Sequence, residues 1–350
     1  MKEIRSFALI LLLISQVATG QQPTDNQANE PARFFREFVG LTDDQMKDIR
    51  AGKAVAKVLD TGSPDEVFVF GSVFVKSTPE QYLKFASDID SLRKVPSYLA
   101  IQRFSDPPQL ADLAQFTLDD SDIKDLQHCT PGHCDVQLPT EAIDEFQRSV
   151  DWSAPDRSDQ ANRLARQMAL TALQRYHQGG NVALGTYKDK NHPTDVAETF
   201  GTLLGRMNAL PVYLPALHRY LLEYPNAPSE NVSSQFYWEK VNFGLKPTLR
   251  IVQAVVYRGR SAAEPAYAVA VKQLYSSHYF QTALDLTVCV RDGDPANKDG
   301  FYLITVKGSK QAGLTGFKGS ILRKVAVDKT RSSLQKALTS IKQKLEGQGN

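Results

Sequence analysis

Two cysteines and two histidines, residue types that bind metals, lie within seven positions of one another: His128, Cys129, His133 and Cys134. They could hold a structural zinc or a copper ion, or the thiols could stay reduced. The Pro131-Gly132 turn between them brings the cysteines together. A Cys129–Cys134 disulfide would close a loop of about six residues and contribute roughly 2 kcal/mol on a chain-entropy argument. We favour the disulfide and expect no metal; a c-type haem is excluded because Cys-x-x-Cys-His is absent.

His278 is the one candidate for catalysis, although the sequence designates no firm catalytic residue. It stands near the start of a strand-like run, among aromatic residues. There it could line a cavity mouth, hydrogen-bond a ligand head group or act as a general base; the alternative is a histidine satisfied by neighbouring strands. An earlier strand adds aromatic residues that fit either a ligand pocket or the core. The predicted ligand-binding residues are Tyr237, Trp238, Tyr275, His278, Tyr279 and Phe280.

Composition and missing motifs exclude several functions. A formal net charge of +2 gives no electrostatic signature of nucleic-acid binding. The sequence contains no nucleotide-binding glycine loop, no Gly-x-Ser-x-Gly elbow and no His-Glu-x-x-His. We therefore expect no cofactor and no nucleic-acid partner, and we regard an enzyme as the less favoured class.

The N-terminus has the pattern of a secretory signal. Lys2 and Arg5 precede an apolar run from Phe7 to Ala18, and small residues follow up to Gly20. We predict a signal peptide over residues 1–20, cleaved after Gly20, and a disordered polar leader over 21–33. The apolar run is short for a membrane span, an uncleaved anchor being the alternative. The mature chain is expected to lack an integral span and to be periplasmic or secreted.

Strand and helix patterns then alternate in blocks. A hairpin at Val55–Leu59 and Val67–Val75 precedes a helix that Thr78 caps and Pro79 begins. Helical periodicity dominates residues 106–233, which we interpret as an insertion packed over the sheet, a separate domain being the alternative. Later strands are predicted at Gln235–Phe243, Leu249–Tyr257, Tyr267–Tyr275, Tyr279–Arg291 and Phe301–Lys307, followed by a helix from Lys318. We therefore predict that residues 34–350 form one α+β domain.

This order of elements resembles the START-like helix-grip superfamily, also called SRPBCC or Bet v 1-like. The resemblance rests on the hairpin, the helix start at Thr78-Pro79-Glu80-Gln81, the late strands and the helix to Leu345. It implies a curved antiparallel sheet that grips a long C-terminal helix and encloses an apolar cavity. The chain also resembles a family of exported bacterial proteins, from which no activity transfers, in Cys129–Cys134, Val150–Pro155, Phe243–Pro247 and Ser277–Phe280.

Together, the signal pattern and the helix-grip resemblance imply a soluble exported protein that binds or carries a lipid-like or other apolar small molecule. One alternative is a helix-grip enzyme, of the cyclase, hydrolase or isomerase type, that uses His278. A second alternative is a non-catalytic envelope scaffold with a protein partner, which would have a filled core and an exposed apolar patch.

Overall fold

The computed structural model describes residues 31–95, 97–228, 230–243, 246–261, 264–293, 299–314 and 316–347. The expected signal peptide (1–20) and residues 21–30 of the expected leader lie outside this part of the chain, as do Gly244 and Leu245 of the segment Phe243–Pro247. Residues 31–33, assigned to the leader from the sequence, form the start of the first helix.

An eight-stranded antiparallel sheet forms the centre of the described structure. Its strand order is β1-β2-β10-β9-β8-β7-β6-β3. The strands are β1 (Val55–Leu59), β2 (Glu66–Val75), β3 (Tyr98–Arg103), β6 (Val232–Val241), β7 (Thr248–Arg258), β8 (Tyr267–Ser276), β9 (Phe280–Arg291) and β10 (Phe301–Gln311). The two short strands β4 (Thr186–Tyr187) and β5 (Thr194–Asp195) pair separately. The five strands from β6 to β10 form one meander, so each neighbours the next in sequence.

Helices precede, interrupt and follow the strands. Those outside the region between β3 and β6 are α1 (Pro31–Glu37), α2 (Asp43–Arg50), α3 (Pro79–Ser87), α4 (Ile89–Arg93) and α11 (Gly316–Leu345). Between β3 and β6 lie α5 (Asp120–Gln127), α6 (Thr140–Ser149), α7 (Arg157–Gly179), α8 (Val196–Arg206), α9 (Leu210–Tyr213) and α10 (Pro215–Glu223). No helix within the described ranges is long and apolar enough to cross a membrane.

One face of the sheet packs against α11. Neighbouring residues of a strand point to opposite faces, and the odd-numbered valines of β2 share a core with Val327, Leu334 and Leu338 of the helix. Gly71 permits this close approach. A Cβ atom there would lie 2.7 Å from Leu338 Cδ1 and 2.8 Å from Leu334 Cδ2, distances that atoms do not adopt without displacement of the helix.

The other face is covered by α1, α2 and the helices between β3 and β6. Phe68, Phe70 and Phe74 of β2 point to this side, where α1 and α2 cover one end and α8 to α10 the middle. Helix α7 covers the far end through a stripe of buried residues at helical spacing: Ala161, Ala165, Ala169, Leu173 and Tyr176. The two faces therefore carry separate cores with different helices.

The predicted fold class is confirmed: the protein is α+β, with a large antiparallel sheet, a long C-terminal helix and a helical segment between strands. The Thr78 cap is present, since its hydroxyl accepts the Gln81 N–H at 3.3 Å. Strand β3 was not predicted. Among the described residues its one partner strand is β6, more than a hundred residues later in the chain, and such a non-local partner leaves no periodic signal beside it.

Candidate functional site

His278 lies in the turn between β8 and β9, and both of its ring nitrogens face oxygen atoms. Nδ1 lies 3.0 Å from the carbonyl oxygen of Asp135 and Nε2 lies 3.1 Å from Asp122 Oδ1. Both oxygens can accept a hydrogen bond from a ring N–H. The side chain is 4% exposed. In this geometry His278 joins two chain segments and has no nitrogen directed at a cavity.

Asp122 is held between His278 and Lys246. Lys246 Nζ lies 2.6 Å from Asp122 Oδ1 and 2.6 Å from Asp125 Oδ2. Burial by itself would raise the pKa of Asp122, but the hydrogen bonds from His278 and Lys246 outweigh burial and hold that pKa below its usual value. Likewise, burial would lower the pKa of Lys246, and the two carboxylates raise it instead. The group is a compact ion-pair network between α5 and the strand ends.

The predicted disulfide is present beside this network. Cys129 and Cys134 are bonded and both are buried. The segment that they close is fixed further, because Gly132 N donates to Lys188 O at 2.6 Å and Cys134 N donates to Asp189 O at 2.9 Å. Among the described residues, no cluster of histidine, cysteine and carboxylate side chains could hold a metal ion.

Tyr279 has a strained backbone next to His278. Its φ is +62°, a region that non-glycine residues rarely adopt. Hydrogen bonds to the Tyr279 side chain and to its backbone carbonyl stabilise the conformation. The phenol oxygen accepts the N–H of Lys246 at 3.0 Å, and the carbonyl oxygen accepts the N–H of Ala312 at 2.8 Å. The strained residue therefore lies in a tight turn that is hydrogen-bonded to Lys246 and Ala312.

The six predicted ligand-binding residues do not converge on one cavity. Tyr237 and Trp238 are adjacent in β6 and point to opposite faces; Trp238 is buried and its Nε1 donates to Asp112 O at 2.8 Å. Tyr275 packs against the core on the Trp238 side. Phe280 lies against Phe243, with ring centroids 4.9 Å apart. Only Tyr237 lines either of the two cavities described below.

A cavity of about 420 Å³ lies on the sheet face opposite α11. We call it the α1–α9 cavity. Its floor consists of Phe68 and side chains from β9 and β10, namely Leu286, Val288, Val290, Ile304 and Val306. Phe34 of α1 and Phe38 just after it form one wall, and Met207, Leu210, Tyr213 and Leu214 form the other. Tyr213 meets both phenylalanines edge to face, at 5.7 and 5.6 Å. The interior is thus apolar and largely aromatic on one side.

Apart from Tyr213, four lining residues of the α1–α9 cavity carry polar side chains, and we call this more exposed part of the lining the mouth. They are Asp60 and Thr61 of the loop between β1 and β2, and Arg206 and Asn208 after α8. All four are exposed or half-buried, whereas the apolar lining residues are buried or half-buried. Such an arrangement, an apolar interior with a few polar groups at one end, is typical of small-molecule pockets.

A smaller groove of about 100 Å³ lies on the α11 side of the sheet. Tyr237, Val252, Val269 and Val271 contribute to its lining, with Glu239 at one end. The Glu239 carboxylate is 2.9 Å from Arg250 Nη1 and almost fully buried. Burial raises the pKa of Glu239, and Arg250 partly offsets this effect. The helix-grip resemblance implied an apolar cavity beside the C-terminal helix; the larger of these two cavities lies on the opposite face.

The sequence analysis missed the residues of the α1–α9 cavity. Val288 and Val306 belong to alternating runs that identify strands, but alternation does not show which helices cover each face. A signal existed at Phe34, Phe35 and Phe38, an aromatic cluster directly after the polar leader. Neither a comparison with models of known protein families nor a comparison with curated proteins finds a match to this chain.

Proposed function

We propose that this protein binds an apolar small molecule in the α1–α9 cavity. The observation that carries the proposal is the volume of about 420 Å³ with an apolar lining, which falls in the size range of ligand pockets, roughly 300–1,000 Å³. Each ~100 Å² of apolar ligand surface removed from water contributes about 2.5 kcal/mol before the cost of association. The aromatic wall formed by Phe34, Phe38 and Tyr213 adds specific contacts to this non-directional term.

We further propose that the chain is a START-like helix-grip protein that is exported. An antiparallel meander from β6 to β10, followed by α11 packed on β2, supports the fold assignment. The buried Cys129–Cys134 disulfide supports an oxidising compartment such as the periplasm. His278 offers less support for an enzyme, because both of its ring nitrogens are engaged by Asp122 and Asp135.

The test combines native mass spectrometry with a cavity-filling variant. Protein purified from a bacterial periplasm is extracted with organic solvent, and the neutral fluorophore N-phenyl-1-naphthylamine is then titrated into the delipidated protein. Val288→Phe places a ring on the cavity floor and should weaken probe binding at least about tenfold, because the bound molecule and the ring compete for one volume.

Val269→Phe is the matched control. It makes the same substitution on the neighbouring strand, but Val269 lines the groove beside α11. The control should bind the probe like the unmodified protein, and thermal unfolding checks that both variants fold. If Val269→Phe abolished binding while Val288→Phe did not, the ligand would belong to the groove beside α11. An absence of probe binding and of any co-purifying apolar molecule would refute the proposed function.

A further inference from the structure

Helix α11 has an exposed apolar patch near its N-terminal end. Ile321, Leu322 and Val325, which we call the α11 patch, are 57%, 52% and 60% exposed. At 3.6 residues per turn, the three side chains fall within an arc of about 100° around the helix axis. Apolar residues that are exposed as a group, and not singly, indicate an interaction surface.

The opposite side of α11 is fixed to the protein, so the patch is held outward. Val327 is buried in the core beneath the helix, and Arg323 Nη2 donates to the carbonyl oxygen of Glu66 at 3.4 Å. At Gly319 the helix backbone lies against Leu314, since a Cβ atom there would be 2.5 Å from the Leu314 carbonyl carbon. The helix therefore cannot turn the patch inward without losing these contacts.

Basic residues dominate α11. The helix contains eight lysine and arginine residues and one aspartate, whereas the whole chain has a formal net charge of +2. Lys324 flanks the patch and Lys329 lies one turn further along the same side; both are exposed, and within the described ranges neither has an ionic or hydrogen-bonding partner. The aspartate, Asp328, pairs with Arg331 at 3.5 Å. Uncompensated cations beside exposed aliphatic side chains fit the surface of an anionic bilayer, where negative head groups overlie an apolar layer.

A second copy of the chain fits the same patch less well. In a two-fold symmetric dimer each patch would face its own copy, so Lys324 and Lys329 would approach the equivalent lysines of the other copy. Three aliphatic side chains are also few for a stable protein interface, which buries about 800 Å² on each side. A lipid surface needs no such area and carries the opposite charge.

The α11 patch lies at the same end of the sheet as the mouth of the α1–α9 cavity. Arg206, which lines the mouth, donates from Nε to Glu66 Oε2 at 3.2 Å, and Arg323 of α11 contacts the carbonyl oxygen of the same residue. The loop that carries Asp60 and Thr61 ends directly before Glu66. A surface that bound the patch would therefore lie close to the mouth.

We propose that the α11 patch, with Lys324 and Lys329, docks the protein on the surface of an anionic lipid bilayer. This docking goes beyond the proposed function, because it requires no ligand in the cavity. The exposed parts of the three apolar side chains enter the interfacial layer of the bilayer, and the two lysines meet lipid phosphates. The association is peripheral and reversible, and it brings the cavity mouth close to the membrane.

Flotation with lipid vesicles measures the docking. Protein purified from a bacterial periplasm is mixed with vesicles of phosphatidylglycerol and phosphatidylcholine in equal parts, or with vesicles of phosphatidylcholine alone. At low salt, partitioning onto the anionic vesicles should be at least about tenfold stronger than onto the neutral ones. The preference should disappear at about 1 M salt, where the Debye length falls to about 3 Å.

Two sets of substitutions separate the apolar from the electrostatic contribution. The triple variant Ile321→Gln, Leu322→Gln, Val325→Gln should lower partitioning onto anionic vesicles by at least about tenfold, because about half of each side chain is available for burial. The double variant Lys324→Gln, Lys329→Gln should lower it by about tenfold or more, since each lysine near an anionic surface contributes roughly fivefold.

The double variant Val182→Gln, Leu222→Gln is the matched control. It makes the same kind of substitution at apolar residues that are 85% and 40% exposed outside α11, and it should partition like the unmodified protein. Thermal unfolding checks that all the variants fold, as expected for changes at exposed positions.

Equal partitioning onto neutral and anionic vesicles, or partitioning that the triple variant retains, overturns the inference. A concentration-dependent dimer that the triple variant abolishes, without any vesicle binding, assigns the patch to a second copy and overturns it as well. Binding of N-phenyl-1-naphthylamine in the absence of vesicles tests the cavity separately, and the triple variant should keep it. A failure of docking is therefore distinguishable from a failure of the proposed function.

Discussion

Replacing Lys272 with methionine should stabilise the protein at neutral pH and lose that advantage in alkali. Lys272 lies on β8 with 0% of its surface exposed. Its Nζ donates to the Tyr176 hydroxyl at 2.9 Å and to the Asn181 side-chain oxygen. The rings of Phe200 and Tyr176 lie 4.1 and 5.0 Å away. Burial lowers the pKa of Lys272 to about 7.

The magnitude follows from that pKa. An unfolded lysine has a pKa of about 10.4, so the difference of about 3.4 units corresponds to roughly 4–5 kcal/mol of destabilisation wherever the unfolded chain is protonated and pH is below 7. The unfolded state binds the extra proton between pH 7 and 10.4, so the free energy of unfolding rises with pH in that window. Methionine removes this cost but leaves the Asn181 oxygen without its donor, which costs about 1–3 kcal/mol.

The expected result is that Lys272→Met is more stable than the unmodified protein by about 1–3 kcal/mol at pH 6.5, and that this difference falls by about 3 kcal/mol by pH 9.5. Urea unfolding at both pH values measures it. Lys307→Met is the control, because Lys307 is partly exposed and paired with Asp285. The control makes the same substitution at a lysine that is neither buried nor without a carboxylate partner. A Lys272→Met difference that does not change with pH would refute the reasoning, since the buried lysine would then be charged in both states.

Two further variants test the network around His278 and the disulfide beside it. His278→Gln cannot satisfy both Asp122 and Asp135 and should lower the free energy of unfolding by about 2–3 kcal/mol at pH 7 while probe binding in the cavity survives. Because the Asp122 pKa is held below its usual value, the stabilisation is present at neutral pH and is lost as pH falls through the folded pKa, so the loss in the variant should shrink once pH falls below the usual aspartate pKa of about 3.9; a loss unchanged by acid would contradict a contact between His278 and the Asp122 carboxylate. The double variant Cys129→Ser, Cys134→Ser should lose about 2 kcal/mol in urea unfolding, and an unchanged unfolding midpoint would exclude a stabilising disulfide.

Sequence patterns were sufficient to predict an element where the residues that determine its burial are its own neighbours in the chain. The five strands from β6 to β10 pair with the strands next to them in sequence, so alternation and turn residues predicted all five. The cap at Thr78 and the apolar stripe of α7 are local in the same sense. Strand β3 was missed because its partner β6 lies beyond the whole helical segment.

Residue type alone does not place two aromatic side chains on the same face of a strand. Tyr237 and Trp238 are neighbours in one strand, and the two-residue period of a strand sends them to opposite faces. That separation follows from the sequence once β6 is recognised, so aromatic character alone was a poor criterion there. Lys272 is different: its burial arises because α7 and α8 cover that face, placing Tyr176 and Phe200 against it, and no pattern within β8 shows this.

The two faces of the sheet explain why the cavity lies away from α11. On the α11 side, Gly71 lets the helix approach β2 until Leu334 and Leu338 meet the backbone, which fills the space at that end of the sheet. On the opposite side, β9 and β10 present branched valine and leucine side chains, while α1 and α9 meet each other through Phe34, Phe38 and Tyr213. These three rings contact one another above the sheet and do not fill the space down to its surface. The volume left between the rings and the sheet is the α1–α9 cavity. The helices on this face therefore enclose a cavity, whereas α11 packs directly onto β2.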